Sequence, residues 1–364
     1  MEKKKWRPDV TIVLALVIFL FLATTPFYLS MFRVSLLGKY MCYAIVALGL
    51  DMIWGYTGIL SLGHGVYFGL GAYCMAMYLK LEASGSSLPD FMTWSGVSEL
   101  PLFWKPFGNP VFAMVMVIGV PVILAVIIGY LTFLNRIRGV YFSILSQAMA
   151  MILSVLLIGS QEYTGGSNGL TNFTTIFGKS LSSPSTKLAL YYATLIALIL
   201  IFCVCRFLIS RRIGKIFIAI RDSENRVRFT GYNTAVYKVF VYGLSAAIAG
   251  IAGALYVSQV GIITPADVNI TPSVEMIIWV AIGGKGTLAG PMLGALLVNG
   301  LKTAASENFP ELWSYFLGFV FIFVILFMPG GLVSLRELPG RIARKFSSKK
   351  AEEDELNDAF IADR

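Results

Sequence analysis

The sequence predicts an all-α fold: a polytopic transmembrane helix bundle of about ten spans, some broken or short, with both termini on the cytoplasmic side (N-in/C-in). Three observations predict it. Hydrophobic residues make up 57% of the 364 residues and charged residues only 13%, about half of the roughly 25% charge found in soluble domains. The apolar runs are long and unbroken, which excludes disorder and argues against a transmembrane barrel, whose strands would alternate. The net charge of +9 is gathered at Lys3, Lys4, Lys5 and Arg7, at Arg136 and Arg138, from Arg206 to Lys238, and after Arg336. Apolar stretches separate these clusters. That is the positive-inside pattern of a multispanning protein and not the basic face of a nucleic-acid binder.

The elements follow in order. Residues 1–9 form a basic cytoplasmic N-terminus. The membrane domain is residues 10–334, and its first span, 10–28, is long enough to cross, with no small-residue cleavage site after it. Spans at 34–54 and 60–79 follow, then a hydrophilic stretch, 80–109, that parity puts outside. Spans at 111–133 and 141–159 flank the short basic loop 135–139, which falls inside. A second outer stretch, 161–186, precedes the span at 187–208. The large basic loop 209–237 falls inside and leads to the span at 239–259. The eighth span, 272–282, and the ninth, 288–301, are short and flank Gly283-Gly284-Lys285-Gly286 and Gly290-Pro291. Such interruptions are tolerated where they lie within protein or line an aqueous cavity. The tenth span is 312–328, and residues 335–364 form a solvated cytoplasmic tail.

The chemistry begins with absences. No G-x-x-x-x-G-K-[ST] motif is present: Gly284-Lys285-Gly286 lacks the Ser or Thr that reaches Mg²⁺. No cofactor is expected in this chain. Cys42, Cys74, Cys203 and Cys205 lie in apolar runs and read as small hydrophobes. His64, between two glycines, reads as a polar residue at a helix start more readily than as a metal ligand or proton shuttle.

The glycine-dense segment Gly55-Tyr56-Thr57-Gly58 through Gly63-His64-Gly65, followed by Gly69 and Gly71, has two readings. One is close helix packing. The other is an unwound segment, Tyr56 included, whose backbone lines a permeation path. Gly243, Gly250 and Gly253 read as packing alone. Charged residues in spans cost ~2.5–3.5 kcal/mol each even on the lenient insertion scale, so they face an interior or an aqueous path. Asp51, near the inner end of its span, is a path or an interfacial residue. Glu275, sharing a helix face with Trp279 one turn on, is expected to line an internal path with that indole. Its alternatives are a buried pair with Lys285 or a cap for the broken eighth helix. In the loop 209–237, apolar Ile216, Phe217, Ala219 and Ile220 precede the charged turn of Arg221, Asp222 and Glu224, with Gly214 before them and Gly231 able to end the helix. The loop is either simply basic and inside, or a docking surface for a soluble ATPase.

At these residues a family resemblance emerges. The segments 54–65 (Trp54 to Gly65), 138–143, 165–170 and 249–256 resemble the LivM-like permeases, membrane subunits of branched-chain amino-acid ABC importers, over about 40–334. Within that family, 88–92 with 99–101, 220–232, 259–265 and above all 278–287 are similar to the second permease of urea importers (UrtC type), although Lys285 and Thr264 stand where that branch has Arg and often Asn. The resemblance implies a multi-pass subunit of the bacterial inner membrane, a transport permease and not an enzyme. It implies a sister permease subunit, two ATP-binding subunits that hold the ATP, and an extracytoplasmic solute-binding protein. It also implies urea as cargo, with branched-chain amino acids, or a passive urea or amide channel, as the alternatives. Being neutral, urea gains nothing from the membrane potential, and the chain offers few paired charges for a zwitterion.

Overall fold

The computed structural model describes residues 8–85, 87–137 and 139–308, together with 315, 318, 319 and 322. The tail, Ser86, Arg138 and most of the tenth span lie outside the described residues. Within them run twelve α-helices: α1 Pro8–Thr24, α2 Met31–Trp54, α3 Gly65–Ser84, α4 Asp90–Trp94, α5 Pro110–Leu134, α6 Val140–Gly159, α7 Gln161–Thr164, α8 Pro184–Ser210, α9 Arg212–Phe229, α10 Thr234–Val260, α11 Ile270–Gly283 and α12 Ala289–Asn308. A two-residue hairpin, β1 Thr175–Ile176 and β2 Lys179–Ser180, pairs antiparallel. Each of the first nine predicted spans has its helix. Five of these, α2, α5, α6, α8 and α10, are both long and apolar enough to cross a membrane by length and composition.

The centre of the bundle is α2, α3 and α10, with α5, α8, α11 and α12 around them. Lipid is as apolar as Leu, so helices associate here through close packing and hydrogen bonds. On α5, burial recurs every fourth residue at Ala113, Val117, Pro121, Ala125, Gly129 and Phe133, while Val111, Val115, Ile118 and Ile127 point outward. That single stripe packs on α10, where a Cβ on Gly250 would stand 2.9 Å from Pro121 Cγ. One turn further along the same side of α10, a Cβ on Gly253 would stand 1.9 Å from Phe68 O of α3. The packing reading of these two glycines therefore holds.

The third span starts later than its hydropathy suggests. Helix α3 begins at Gly65, and residues 58–61 have no regular structure. Gly58 has φ +78°. The freed backbone groups are met by serines of α6: Ser143 Oγ donates to Leu60 O (2.8 Å) and Ser146 Oγ accepts from Leu62 N–H (3.0 Å). A third serine on that face, Ser154, donates to Pro265 O (3.0 Å). The segment is thus both unwound and tightly packed, since a Cβ on Gly63 would meet Ser146 O at 2.0 Å. His64, fully buried, lies against Ser245 Oγ (3.0 Å to Nε2).

At the other end of α3, Lys80 bonds Asp90 of α4 (2.7 and 2.8 Å) and Thr171 O (2.8 Å). Glu82 accepts from the N–H groups of Phe177 (3.1 Å) and Gly178 (2.6 Å) at the tip of the hairpin. Together these ties gather 80–109 and 161–183 into one cap over the end of the bundle.

Candidate functional site

Two polar clusters stand out in this apolar bundle. The first is a recess of about 300 Å³ between α2 and α12, lined by Lys39, Tyr40, Tyr43, Asn299 and Lys302, with Glu307 near its rim. That is the lower end of the roughly 300–1,000 Å³ of small-molecule sites. Helices α11 and α12 form a hairpin about the break at Gly283–Gly286, which brings Lys302 back beside Glu275. Lys302 Nζ donates to both carboxylate oxygens of Glu275 (2.7 and 2.9 Å). Tyr43 stacks on Trp279 at 4.7 Å between centroids and lies 5.7 Å from Tyr256. Lys39 Nζ lies 5.8 Å from the Tyr43 ring centre and 5.7 Å from that of Tyr256.

The second cluster joins α9 to the bundle. Asp51 is fully buried at the end of α2, and its carboxylate accepts from Gly286 N–H (2.6 Å) and Leu288 N–H (3.1 Å). A carboxylate just before the first turn of α12 also meets the positive end of that helix. Four residues on, the last turn of α2 presents Gly55 O to Arg221 Nη1 of α9 (2.7 Å). Helix α9 is divided at Ser223, which has extended backbone (φ −162°, ψ 88°). Beyond that break Glu224 accepts from Arg228 (2.8 Å), Thr234 (3.0 Å) and Lys238 of α10 (2.6 Å). A cavity of about 220 Å³ lies beside the break, bounded by Gly58, Phe133, Arg221, Glu224 and Lys238.

The predicted residues fall as follows. Neither Glu275 nor Trp279 lines the recess itself: each touches a residue that does, Glu275 through Lys302 and the indole, only 2% exposed, through Tyr43. Glu275 pairs with Lys302; Lys285 instead lies over the Trp54 ring at 5.4 Å. Asp51 is neither interfacial nor beside Glu275; it clasps the α11–α12 turn. Tyr56 is buried near that clasp. Of the docking residues, Arg221, Asp222 and Gly231 are exposed, the Asp222 side chain at 61% and bonded to Arg221 Nε (3.0 Å). Glu224, at 11%, faces inward. Gly214 lets α9 turn tightly out of α8, where a Cβ would meet Ile209 O at 2.2 Å. Gly231, at φ +86°, follows the end of α9 as expected. Lys39 and Lys302 were not legible as site residues: each is a cation in a largely apolar helix, and what joins them, the α2–α12 contact, spans more than 250 residues of chain.

Residues 32–325 match the protein family described as branched-chain amino acid transport system / permease component. The high-affinity branched-chain amino acid transport system permease protein LivM of Salmonella typhimurium is 25% identical over 335 residues, 85% of this chain and 72% of the relative. LivM of Escherichia coli is 26% identical over 332 residues, with the same two coverages. The chain is also similar to the permease protein LivH of Salmonella typhimurium, 24% identical over 321 residues, 86% of this chain and 97% of the relative. No solved structure matches the chain significantly.

Proposed function

Because the chain belongs to the permease-component family of branched-chain amino acid transport systems and is a multi-pass inner-membrane protein, we propose that it forms half of the translocation path of an ATP-driven importer whose cargo is a zwitterionic, branched-chain amino acid. A sister permease supplies the other half. Two ATP-binding subunits supply the energy, since no nucleotide motif is present in this sequence, and an extracytoplasmic binding protein delivers the cargo.

The observation that carries the reading is the recess. It is lined by charges of both signs, Lys39 and Lys302 with Glu307, beside the rings of Tyr40 and Tyr43, and Lys302 is paired with Glu275. A zwitterion needs paired charge partners on its route. Urea is neutral and needs acceptors and few fixed charges, so for urea these ionised groups would be a cost in the membrane with no return. The likeness of 278–287 to urea permeases supports the competing cargo, and uptake separates the two. Labelled leucine and labelled urea are offered to a strain lacking only this chain, and again after complementation. Loss and recovery of leucine uptake is expected. Loss of urea uptake with leucine uptake intact would replace the amino-acid reading with urea.

Energy coupling runs through α9. What supports this is its position between α8 and α10, its exposed, charged outer side, and the bond from Arg221 to Gly55 O. ATP-driven closure of the ATPases moves α9, and the Arg221–Gly55 and Asp51–Gly286 bonds carry that movement to the α11–α12 hairpin bordering the recess. A ligand or partner shifts such an equilibrium only by its differential affinity for the two states. Loading of the binding protein and closure of the ATPases supply that difference from opposite faces of the membrane.

A further inference from the structure

The two cations of the recess, Lys39 and Lys302, are held differently. Lys302 is held by both oxygens of Glu275. Among the described residues no carboxylate lies within salt-bridge distance of Lys39, whose ammonium rests instead against the faces of Tyr43 and Tyr256. Two ring faces hold a cation by its attraction to their quadrupoles, yet they neutralise none of its charge. An ammonium within a membrane-spanning helix that has no carboxylate in direct contact gains when an anion arrives. It also stands where a small molecule has room: Lys39 lines the 300 Å³ recess.

The neighbouring groups suit the rest of an α-amino acid. Tyr43 offers an apolar face in the same recess. Asn299 spends its amide N–H on Ala295 O (2.8 Å), which leaves its carbonyl oxygen as an acceptor. Glu307 lies toward the outer end of α12. From this geometry we infer that Lys39 is the carboxylate-binding residue of the recess, a site for the α-carboxylate of a zwitterionic amino acid. The inference rests on the amino-acid reading above. Binding there is a charge-assisted hydrogen bond, strong enough to discriminate and weak enough to release.

The test uses the assembled importer in proteoliposomes with its binding protein. Lys39→Met is expected to lower maximal leucine uptake by roughly tenfold or more, the effect of losing one charge-assisted bond. The concentration giving half-maximal uptake stays where the binding protein sets it. Lys39→Arg is expected to recover most of the rate. Lys39→Cys keeps the question open if the Met variant assembles poorly. Its uptake should rise after treatment with 2-aminoethyl methanethiosulfonate, which restores a positive charge, and not after methyl methanethiosulfonate, with the unsubstituted importer treated in parallel. If the unsubstituted complex carries no leucine, the amino-acid reading fails and this site with it. If it carries leucine while Lys39→Met stays within about twofold, or if both reagents restore Lys39→Cys equally, the site assignment alone is overturned.

Discussion

The Asp51 carboxylate binds two backbone N–H groups of a turn that lies 235 residues away. Such a bond to a charged acceptor is worth about 1.5–3 kcal/mol net. Asp51→Asn should therefore lower the stability of the purified complex by on the order of one such bond, read as a lower thermal midpoint; an unchanged midpoint would refute the clasp. Glu224 and Asp222 give a sharper contrast. Glu224 faces two cations and Thr234 from an 11% exposed position, and removing one partner of a buried pair costs about 3–5 kcal/mol. Asp222 is exposed, where substitutions shift stability by about 0.5 kcal/mol or less. Glu224→Gln should unfold the α9–α10 junction while Asp222→Asn leaves it intact, as amide exchange over 224–238 would report. On the outer face, burial tends to raise the Asp90 carboxyl, but the Lys80 bond, the Phe91 N–H and the Lys80 charge outweigh it and hold the group below its ordinary value. A depressed carboxylate contributes stability above its unfolded pKa of about 3.9 and loses it as pH falls through the folded value. Exchange protection over 87–109 should thus be the same at neutral pH and at mild acidity, and fall only below about pH 4. Loss of protection at mildly acid pH would mean the Lys80–Asp90 tie is not what holds the cap.

Helix existence was legible because the apolar runs are long; helix ends were legible only where a local residue sets them. Gly231 ends α9 through its own conformation, and the sequence says so. The start of α3 is set from outside, by Ser143 and Ser146 of α6, and hydropathy counts Leu60 and Leu62 as span because nothing beside them says otherwise. Replacing both serines by Ala would leave a buried C=O and N–H unmet, at about 1–3 kcal/mol each. The double variant should show faster amide exchange at 60–66 with α2 unchanged; equal exchange would mean that water replaces the serines. The same limit explains Glu275. Lys285 is its nearest cation along the chain, but the hairpin between α11 and α12 exchanges it for Lys302. On α9 the docking charge expected at Glu224 is used internally, while Phe229, 91% exposed, is left at the outer end. A lone exposed aromatic is the kind of residue that anchors an interface. Phe229→Ala should weaken ATPase association about tenfold or more with the permease pair intact, as pull-down would measure, and normal association would place docking elsewhere.

At the scale of the molecule, orientation follows from the basic clusters and is tested by labelling. A cysteine at Ser182, exposed beside the hairpin, should react from outside. One at Lys215 on α9 should react only after permeabilisation, and the reverse result would invert the protein. Similarity to both LivM-type and LivH-type relatives fits a path built from two related halves. The bundle was foreseeable from composition, and the charged recess was not, because its walls come from α2 and α12, more than 250 residues apart in the chain. The unwound segment before α3 also bears on how the chain is made. Leu62 depends on Ser146, a hydroxyl 84 residues downstream, and Leu60 on Ser143, 83 residues downstream. At a synthesis rate of ~5–20 residues per second, the ribosome needs roughly 4–17 seconds to reach them. Through that interval a stretch of bare peptide groups stands ready for the bilayer with nothing to receive it. Lipid refuses such groups, so 57–64 must wait in water or within the insertion machinery until α6 emerges. Helices α3, α5 and α6 therefore enter the membrane as one unit, and a nascent chain cut short before residue 143 should leave its third span uninserted.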